Sequence, residues 1–363
     1  MNKLKAIIVI LLGLTACKNI GEDCLVSRNP EIYFQNVEMI EGMKYEIEYI
    51  AKNPLRCYYT PFGFVGAMSM PNKKQIHLAD IETGRIIVST CDFGRGPEEI
   101  LVESPDMDMY GNSLYLLDQR TDRLKRVDIG KDTLLVHELM RVQANDLAIF
   151  LNVEVVSDSL YVFFTSDFDN NKSILLMDNY SQVLDSLSYK ILNDDRIDQS
   201  KHRYNVQMKI SPDRKILFIS SMQFNKVSKY HIKGNDIECI DEVFLTEPKY
   251  DIKGKVLAVK EDNIEMNARL FVGDKYVYLV VDPEYKRDFD KRRKHAQANN
   301  VRESKAPGNN SYIMVFNYNL EFIKTYICDY NIANLALCQE PDIVYATDAV
   351  NNCIVKYKLP GLN

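Results

Sequence analysis

Residues 76–87 read Ile-His-Leu-Ala-Asp-Ile-Glu-Thr-Gly-Arg-Ile-Ile, and residues 114–125 read Leu-Tyr-Leu-Leu-Asp-Gln-Arg-Thr-Asp-Arg-Leu-Lys. Each is a mostly apolar strand, then Asp, two residues, Thr, one residue, Arg and a return to apolar residues, at an offset of 38. An Asp at a strand end bonds its own backbone in a turn, and a Thr closes that turn, so the pattern is a hairpin used twice. A looser copy occupies 344–355, with Asp348 and Asn351 at the turn.

Working outward, a second pattern recurs: apolar strand, Gly, Asp or Pro turn, apolar strand. Its copies are 107–116, 153–162, 208–218, 269–278 and 335–345, and the earliest is 65–76. Alternation broken by such turn residues predicts antiparallel hairpins. The second strands of these six copies are expected near 76, 114, 160, 216, 276 and 343. Long amphipathic helical patterns are missing. Six antiparallel units with no helices between them predict an all-β, six-bladed β-propeller of four-stranded blades. The sixth copy ends at Leu359 and leaves no room for a fourth strand. A strand from 31–50, for example 45–50, is expected to complete that blade and close the ring.

Composition narrows the classes of function. In 363 residues, 46% are hydrophobic and 26% charged, an ordinary globular mixture. Asp and Glu number 51 against 45 Lys and Arg, so the basic surplus of a nucleic-acid binder is absent. Trp is absent while Tyr reaches 22 and Phe 15, which suits sheets and weakens sugar stacking on indoles.

The N-terminus reads MNKLKAIIVILLGLTAC. Lys3 and Lys5 precede the apolar run from Ala6 to Leu14, too short to span a bilayer but the right length for a signal peptide. The run closes on Leu14-Thr15-Ala16-Cys17. Small residues directly before a cysteine resemble the lipobox of bacterial lipoproteins, which implies cleavage before Cys17 and a diacylglycerol on its thiol. The expected organisation is a signal peptide over 1–16, a tether over 17–30 and a single propeller over 31–360, with a basic insertion at 283–310. The resemblance implies a cell-envelope protein, lipid-anchored to the outer membrane on its periplasmic face or at the cell surface. Lipidation of Cys17 leaves seven of the eight cysteines, so at least one is unpaired within the chain. Most are expected to be buried strand residues.

At 93–100 the chain reads Phe-Gly-Arg-Gly-Pro-Glu-Glu-Ile, followed by the hairpin ending in Asp118 and Arg123. Gly94, Gly96, Pro97, Glu99 and Ile100 match the G-x-G-P-x-E motif. The segment resembles the TolB-like six-bladed β-propeller lipoproteins of Gram-negative gut bacteria and, more distantly, NHL-repeat propellers. The resemblance is sharp over about 75–130 and loose elsewhere. The motif is expected to be structural: two glycines with φ > 0 open to them and a proline set the backbone path, and Glu99 accepts backbone N–H bonds. A phosphate cradle would need a strand before it and a helix after it, and an extended segment follows instead.

No catalytic motif stands out. The five histidines form neither H-E-x-x-H nor a close pair, and there is no G-x-S-x-G elbow. No metal site, cofactor or catalytic residue is identifiable from spacing. Six-bladed lactonases hold calcium with ligands taken singly from different blades, and Asn152, Asp167, Asp282 and Asn317 are the strand-associated candidates here. The stretch 283–310 breaks the repeat with eight basic and four acidic residues, and a polar helix is expected near 285–298. Lys286, Arg287, Lys291, Arg292, Arg293 and Lys294 would make it either a solvated loop or a basic ligand-binding lip over the channel mouth. The expected function is an envelope-anchored binding or scaffolding module for a peptide, glycan or protein partner, not for nucleic acid. The alternative is a metal-dependent hydrolase or lactonase with its site in the central channel. Three or more convergent carboxylates and amides would favour the enzyme, and an apolar or Tyr-lined mouth would favour binding.

Overall fold

In a computed structural model, the described residues are 26–27, 30–46, 54–68, 74–102, 105–142, 149–166, 172–199, 206–221, 224–288, 290–291, 294, 311–348, 351 and 353–362. They form six antiparallel four-stranded blades around a central channel, a six-bladed β-propeller. The innermost strands are Pro54–Thr60, Asp106–Tyr110, Phe150–Ser157, Val206–Ile210, Arg269–Val272 and Ile332–Leu337, in blades 1 to 6.

Each blade buries both faces against its neighbours, so each junction holds one apolar cluster. Blades 1 and 2 share Val65, Leu78, Met107 and Leu116, and blades 2 and 3 share Leu117, Leu124, Val153 and Phe163. Phe164, Leu176, Met208 and Ile219 join blades 3 and 4, Phe218, Val243, Leu279 and Met314 join 4 and 5, and Val280, Val315, Leu335 and Val355 join 5 and 6. Among the described residues the cluster between blades 6 and 1 is the smallest, built from Cys57, Phe64, Ala79, Ala336, Tyr345 and Ile354. There Tyr59 and Tyr345 stack with centroids 5.4 Å apart, and Tyr45 flanks Tyr345.

The N-terminal segment is a strap on the outer edges of three blades. Val26–Ser27 runs parallel to Asp236–Phe244, the outer strand of blade 4. A 3-10 turn, Pro30–Phe34, sets Tyr33 against Phe322 and Phe34 against Tyr312 of blade 5. Val37–Ile40 runs parallel to Phe322–Cys328, the outer strand of blade 5, and Met43–Glu46 pairs antiparallel with Cys353–Lys358 as the fourth strand of blade 6. The ring is therefore closed by an N-terminal strand, as the sequence predicts. Pairing already begins at Val26, inside the stretch read as tether.

One expectation is corrected. The second strand of blade 1 is Gly63–Met68, and Ile76–Ala79 is its third. The Asp80 turn joins third and fourth strands, whereas those at Asp118 and Asp348 join second and third. At Asp80 the carboxylate accepts Thr83 N–H and Oγ1–H, both at 2.7 Å, and at Asp118 it accepts Thr121 Oγ1–H at 2.8 Å. This chemistry serves any tight hairpin, so it fixes a turn without fixing its place in the blade.

Candidate functional site

The inner strands alternate apolar with polar side chains, and the polar ones bridge every junction of the ring. Tyr58 OH donates to Met107 O at 2.5 Å, from blade 1 to blade 2. Asp106 accepts Val153 N–H at 2.7 Å and Asn152 Nδ2–H at 3.1 Å, and Asp108 accepts Val155 N–H at 2.9 Å, from blade 2 to blade 3. Glu154 accepts Ile210 N–H at 3.0 Å, Gln207 accepts Leu270 N–H at 2.8 Å, and Arg269 donates to Ile332 O at 2.8 Å. Asn334 Nδ2–H donates to Cys57 O at 3.2 Å and completes the circuit from blade 6 to blade 1.

Two cations of blade 4 reach further. Lys209 Nζ is 2.5 Å from Glu154 of blade 3 and 3.3 Å from Met107 O of blade 2. Arg214, in the Ser211–Lys215 turn with φ 61°, places Nη1 2.5 Å from Asp108 and 3.0 Å from Val155 O; Nη2 donates to Met109 O, and the guanidinium lies over the Tyr110 ring. Burial and the Asp108 charge push the Glu154 carboxyl up, against the pull of Lys209 and Ile210 N–H. The acids of the inner strands of blades 2 and 3 thus accept from backbone donors, and Asp108 and Glu154 also meet these cations.

A cavity of 660 Å³ remains in the channel. Half-buried Tyr58, Tyr59, Met109, Phe271, Val272 and Leu337 supply its apolar wall, and Asp274 and Glu340 stand exposed at the rim. Its rim is made by turns between first and second strands, including Gly111, Pro212 and Gly273–Asp274. Cys57 lines it too, but burial pushes that thiol up to about 12, which leaves no thiolate at neutral pH. The six described cysteines are all free thiols; Cys57, Cys91, Cys328 and Cys353 are buried and Cys239 is exposed.

Of the predicted metal candidates, the three that are described do not converge. Asn152 lines the cavity; Asp282 pairs with Arg269 at 2.8 Å and accepts Ser311 Oγ–H; Asn317 caps an outer turn by accepting Glu321 N–H; Asp167 is outside the described residues. Among the described residues, no three His, Cys, Asp or Glu side chains group to hold a metal ion.

The G-x-G-P-x-E segment encloses a lysine. Lys125, buried on the third strand of blade 2, donates from Nζ to Gly96 O at 2.7 Å, to Pro97 O at 2.9 Å and to Glu99 O. Glu99 turns back to accept Gly96 N–H at 2.7 Å. Neither Gly94 nor Gly96 has positive φ, contrary to the expectation. Their smallness matters for another reason: a Cβ on Gly94 would lie 2.1 Å from Glu99 Oε2, and one on Gly96 3.0 Å from it.

The described part of the basic insertion, 283–288, 290–291 and 294, does not line the cavity. The insertion follows Val281, at the end of the second strand of blade 5 remote from Gly273–Asp274. Glu284–Tyr285 pairs with Ile264–Glu265, and helical backbone begins at Lys286. Lys286 pairs with Asp290, and Arg287 and Lys291 lie 3.6 and 3.7 Å from Asp288. Lys294 is exposed, while Arg292 and Arg293 are outside the described residues, as is Cys17.

Sequence reasoning misses the bridging set of Tyr58, Asp108, Glu154, Lys209, Arg214 and Asn334. Its visible trace is a charge inside an apolar alternation, as in Val153-Glu154-Val155 and Met208-Lys209-Ile210.

Fold and site define a six-bladed β-propeller with a channel cavity opening among the turns of blades 1, 2, 4, 5 and 6. No family model and no curated protein matches the sequence. Among solved structures, a protein named as exported from Bacteroides fragilis superposes with a TM-score of 0.57 at 10% identity, covering 92% of this chain and 98% of that one. The Cps50 (Swd1) β-propeller domain of Myceliophteria thermophila gives 0.49 at 8% identity over 87% and 99%. BamB from Moraxella catarrhalis gives 0.42 at 10% identity over 87% and 100%. The first of these supports the propeller fold.

Proposed function

We propose that this chain is an envelope binding module of the TolB-like or NHL-like kind, lipid-anchored through Cys17 to the outer membrane, whose ligand seats in the channel cavity. The observation that carries this reading is the division of labour in the channel. The carboxylates and cations of its inner strands hold blade to blade, Asp274 and Glu340 stand at the rim, and the accessible wall is aromatic and aliphatic. Such a wall suits a peptide or glycan fragment with an apolar face, held by contact area and a few rim hydrogen bonds. The rival reading, a calcium-dependent hydrolase or lactonase, needs carboxylates able to turn toward an ion. Asp106, Asp108 and Glu154 each already accept a backbone N–H of the next blade, and the charges of Asp108 and Glu154 are already met by Arg214 and Lys209.

The test is a thermal-shift screen of peptides and glycan fragments against the parent and Leu337→Arg. Ligands that stabilise the parent and not the variant support the reading. Stabilisation by calcium together with calcium-dependent lactone hydrolysis would replace it with the rival.

A further inference from the structure

The strap and the outer strands it pairs with carry exposed apolar side chains along the outer edges of blades 4, 5 and 6. Ile32, Met39 and Met43 belong to the strap and are 48, 65 and 55% exposed. Ile323 and Ile240, on the outer strands of blades 5 and 4 that it pairs with, are 40 and 44% exposed. These are five of the twelve exposed large apolar side chains among the described residues. A flat surface can be tangent to a ring of blades at one outer edge. Blade 5, at the middle of the strap, carries Ile32, Met39 and Ile323, with Met43 and Ile240 flanking on blades 6 and 4.

The chain leads to this edge from the anchor. Cys17 precedes Val26 by nine residues, which reach at most about 30 Å when extended. A lipid on Cys17 therefore keeps the blade 4–5 edge near the bilayer. The charges of the strap select the kind of surface. Glu31, Glu38, Glu41 and Glu46 outnumber Arg28 and Lys44, and Lys44 and Lys324 are already bonded to Glu46 and Glu38, so anionic headgroups are disfavoured.

We propose that the outer edge of blade 5, with the strap residues Ile32, Met39 and Met43, rests on a zwitterionic bilayer, holding the propeller edge-on to the membrane with its channel axis parallel to the surface. The proposal rests on lipidation of Cys17, and goes beyond it by assigning the contact face. Exposed apolar side chains would enter the interfacial region and add to the hold of the lipid.

The absence of Trp provides the test. Met39→Trp, Met43→Trp and, on the far side in blade 2, Leu135→Trp each create a single-Trp full-length protein for lipidated reconstitution into phosphatidylcholine vesicles. Brominated phosphatidylcholine is expected to quench the indole of Met39→Trp and of Met43→Trp at least twofold more than that of Leu135→Trp. Equal quenching of all three variants in vesicle-bound protein would overturn the proposal while leaving the anchor intact. Protein that fails to float with vesicles would overturn the anchor, and the proposal with it. An unquenched Met39→Trp variant that floats with vesicles and self-associates with concentration would assign the face to a second copy instead.

Discussion

Arg214 of blade 4 holds Asp108 of blade 2 at 2.5 Å, an ion pair that passes over blade 3 and takes its Val155 carbonyl on the way. Both side chains are largely buried. Three blades thus share one guanidinium, and the loss of either partner strands a charge in the channel. Arg214→Ala is expected to cost about 3 kcal/mol in urea unfolding, because breaking a buried pair leaves the other charge uncompensated. The double variant Arg214→Ala/Asp108→Asn is expected to recover part of that loss. Additive losses would show that the two residues act separately.

The lysine enclosed by the 94–100 segment gives a second expectation. Lys125→Met keeps the length and removes the ammonium from three carbonyls. Charge-assisted bonds of this kind are individually stronger than neutral ones, so a loss of roughly 2–4 kcal/mol is expected. Gly94→Ala should also lower the melting temperature, since its Cβ would overlap Glu99 Oε2. Thermal melts that overlay the parent for both variants would mean that the segment is not structural.

His77 sets a pH dependence. It is buried, its Nδ1 lies 2.7 Å from Ser89 Oγ, and burial lowers its pKa from the usual 6.5. As pH falls below 6.5 the unfolded chain gains a proton that the native imidazole resists. The native state therefore loses stability toward acid, and holds its full contribution above 6.5. His77→Gln is expected to flatten this dependence, so the difference between parent and variant urea midpoints at pH 7.5 should shrink or reverse at pH 5.5. Parallel pH profiles would refute the assignment.

The strap offers a stability test independent of any membrane. Deleting residues 26–46 removes the fourth strand of blade 6 and uncovers the outer strands of blades 4 and 5. With three edges exposed, the deletion protein is expected to leave the monomer peak in size-exclusion chromatography and elute as larger species. A monomeric deletion protein with the parent melting temperature would show that the ring holds without it.

Much of this architecture is legible in the sequence because blades are local. Alternation in 107–116 and 153–162, with Gly111 and Asp158 at the turns, needs no distant information, and the missing fourth strand of blade 6 points back to the N-terminus. Blade 1 is open to misphasing because the Asp80 turn has the same chemistry as the Asp118 turn and a different place. The channel network resists reading for the opposite reason. Tyr58, Asp108, Glu154, Lys209 and Asn334 come from different blades, and only ring closure makes them neighbours. The glycines at 94 and 96 are conspicuous in the sequence, but the reason for them, the approach of the Glu99 carboxylate, lies in side-chain geometry and not in backbone sign.

The strap has a kinetic consequence. Residues 26–46 are the first part of the propeller to leave the ribosome, yet Val26 pairs with Val243 and Met43 with Lys356. The partners of the first strands are made long after them. Closure over such sequence separation is slow, because the loop entropy is lost before the contacts form. The order of synthesis and the order of assembly are therefore reversed at this terminus. Until blades 4 to 6 are complete, the outer strands awaiting the strap are open to pairing with other chains.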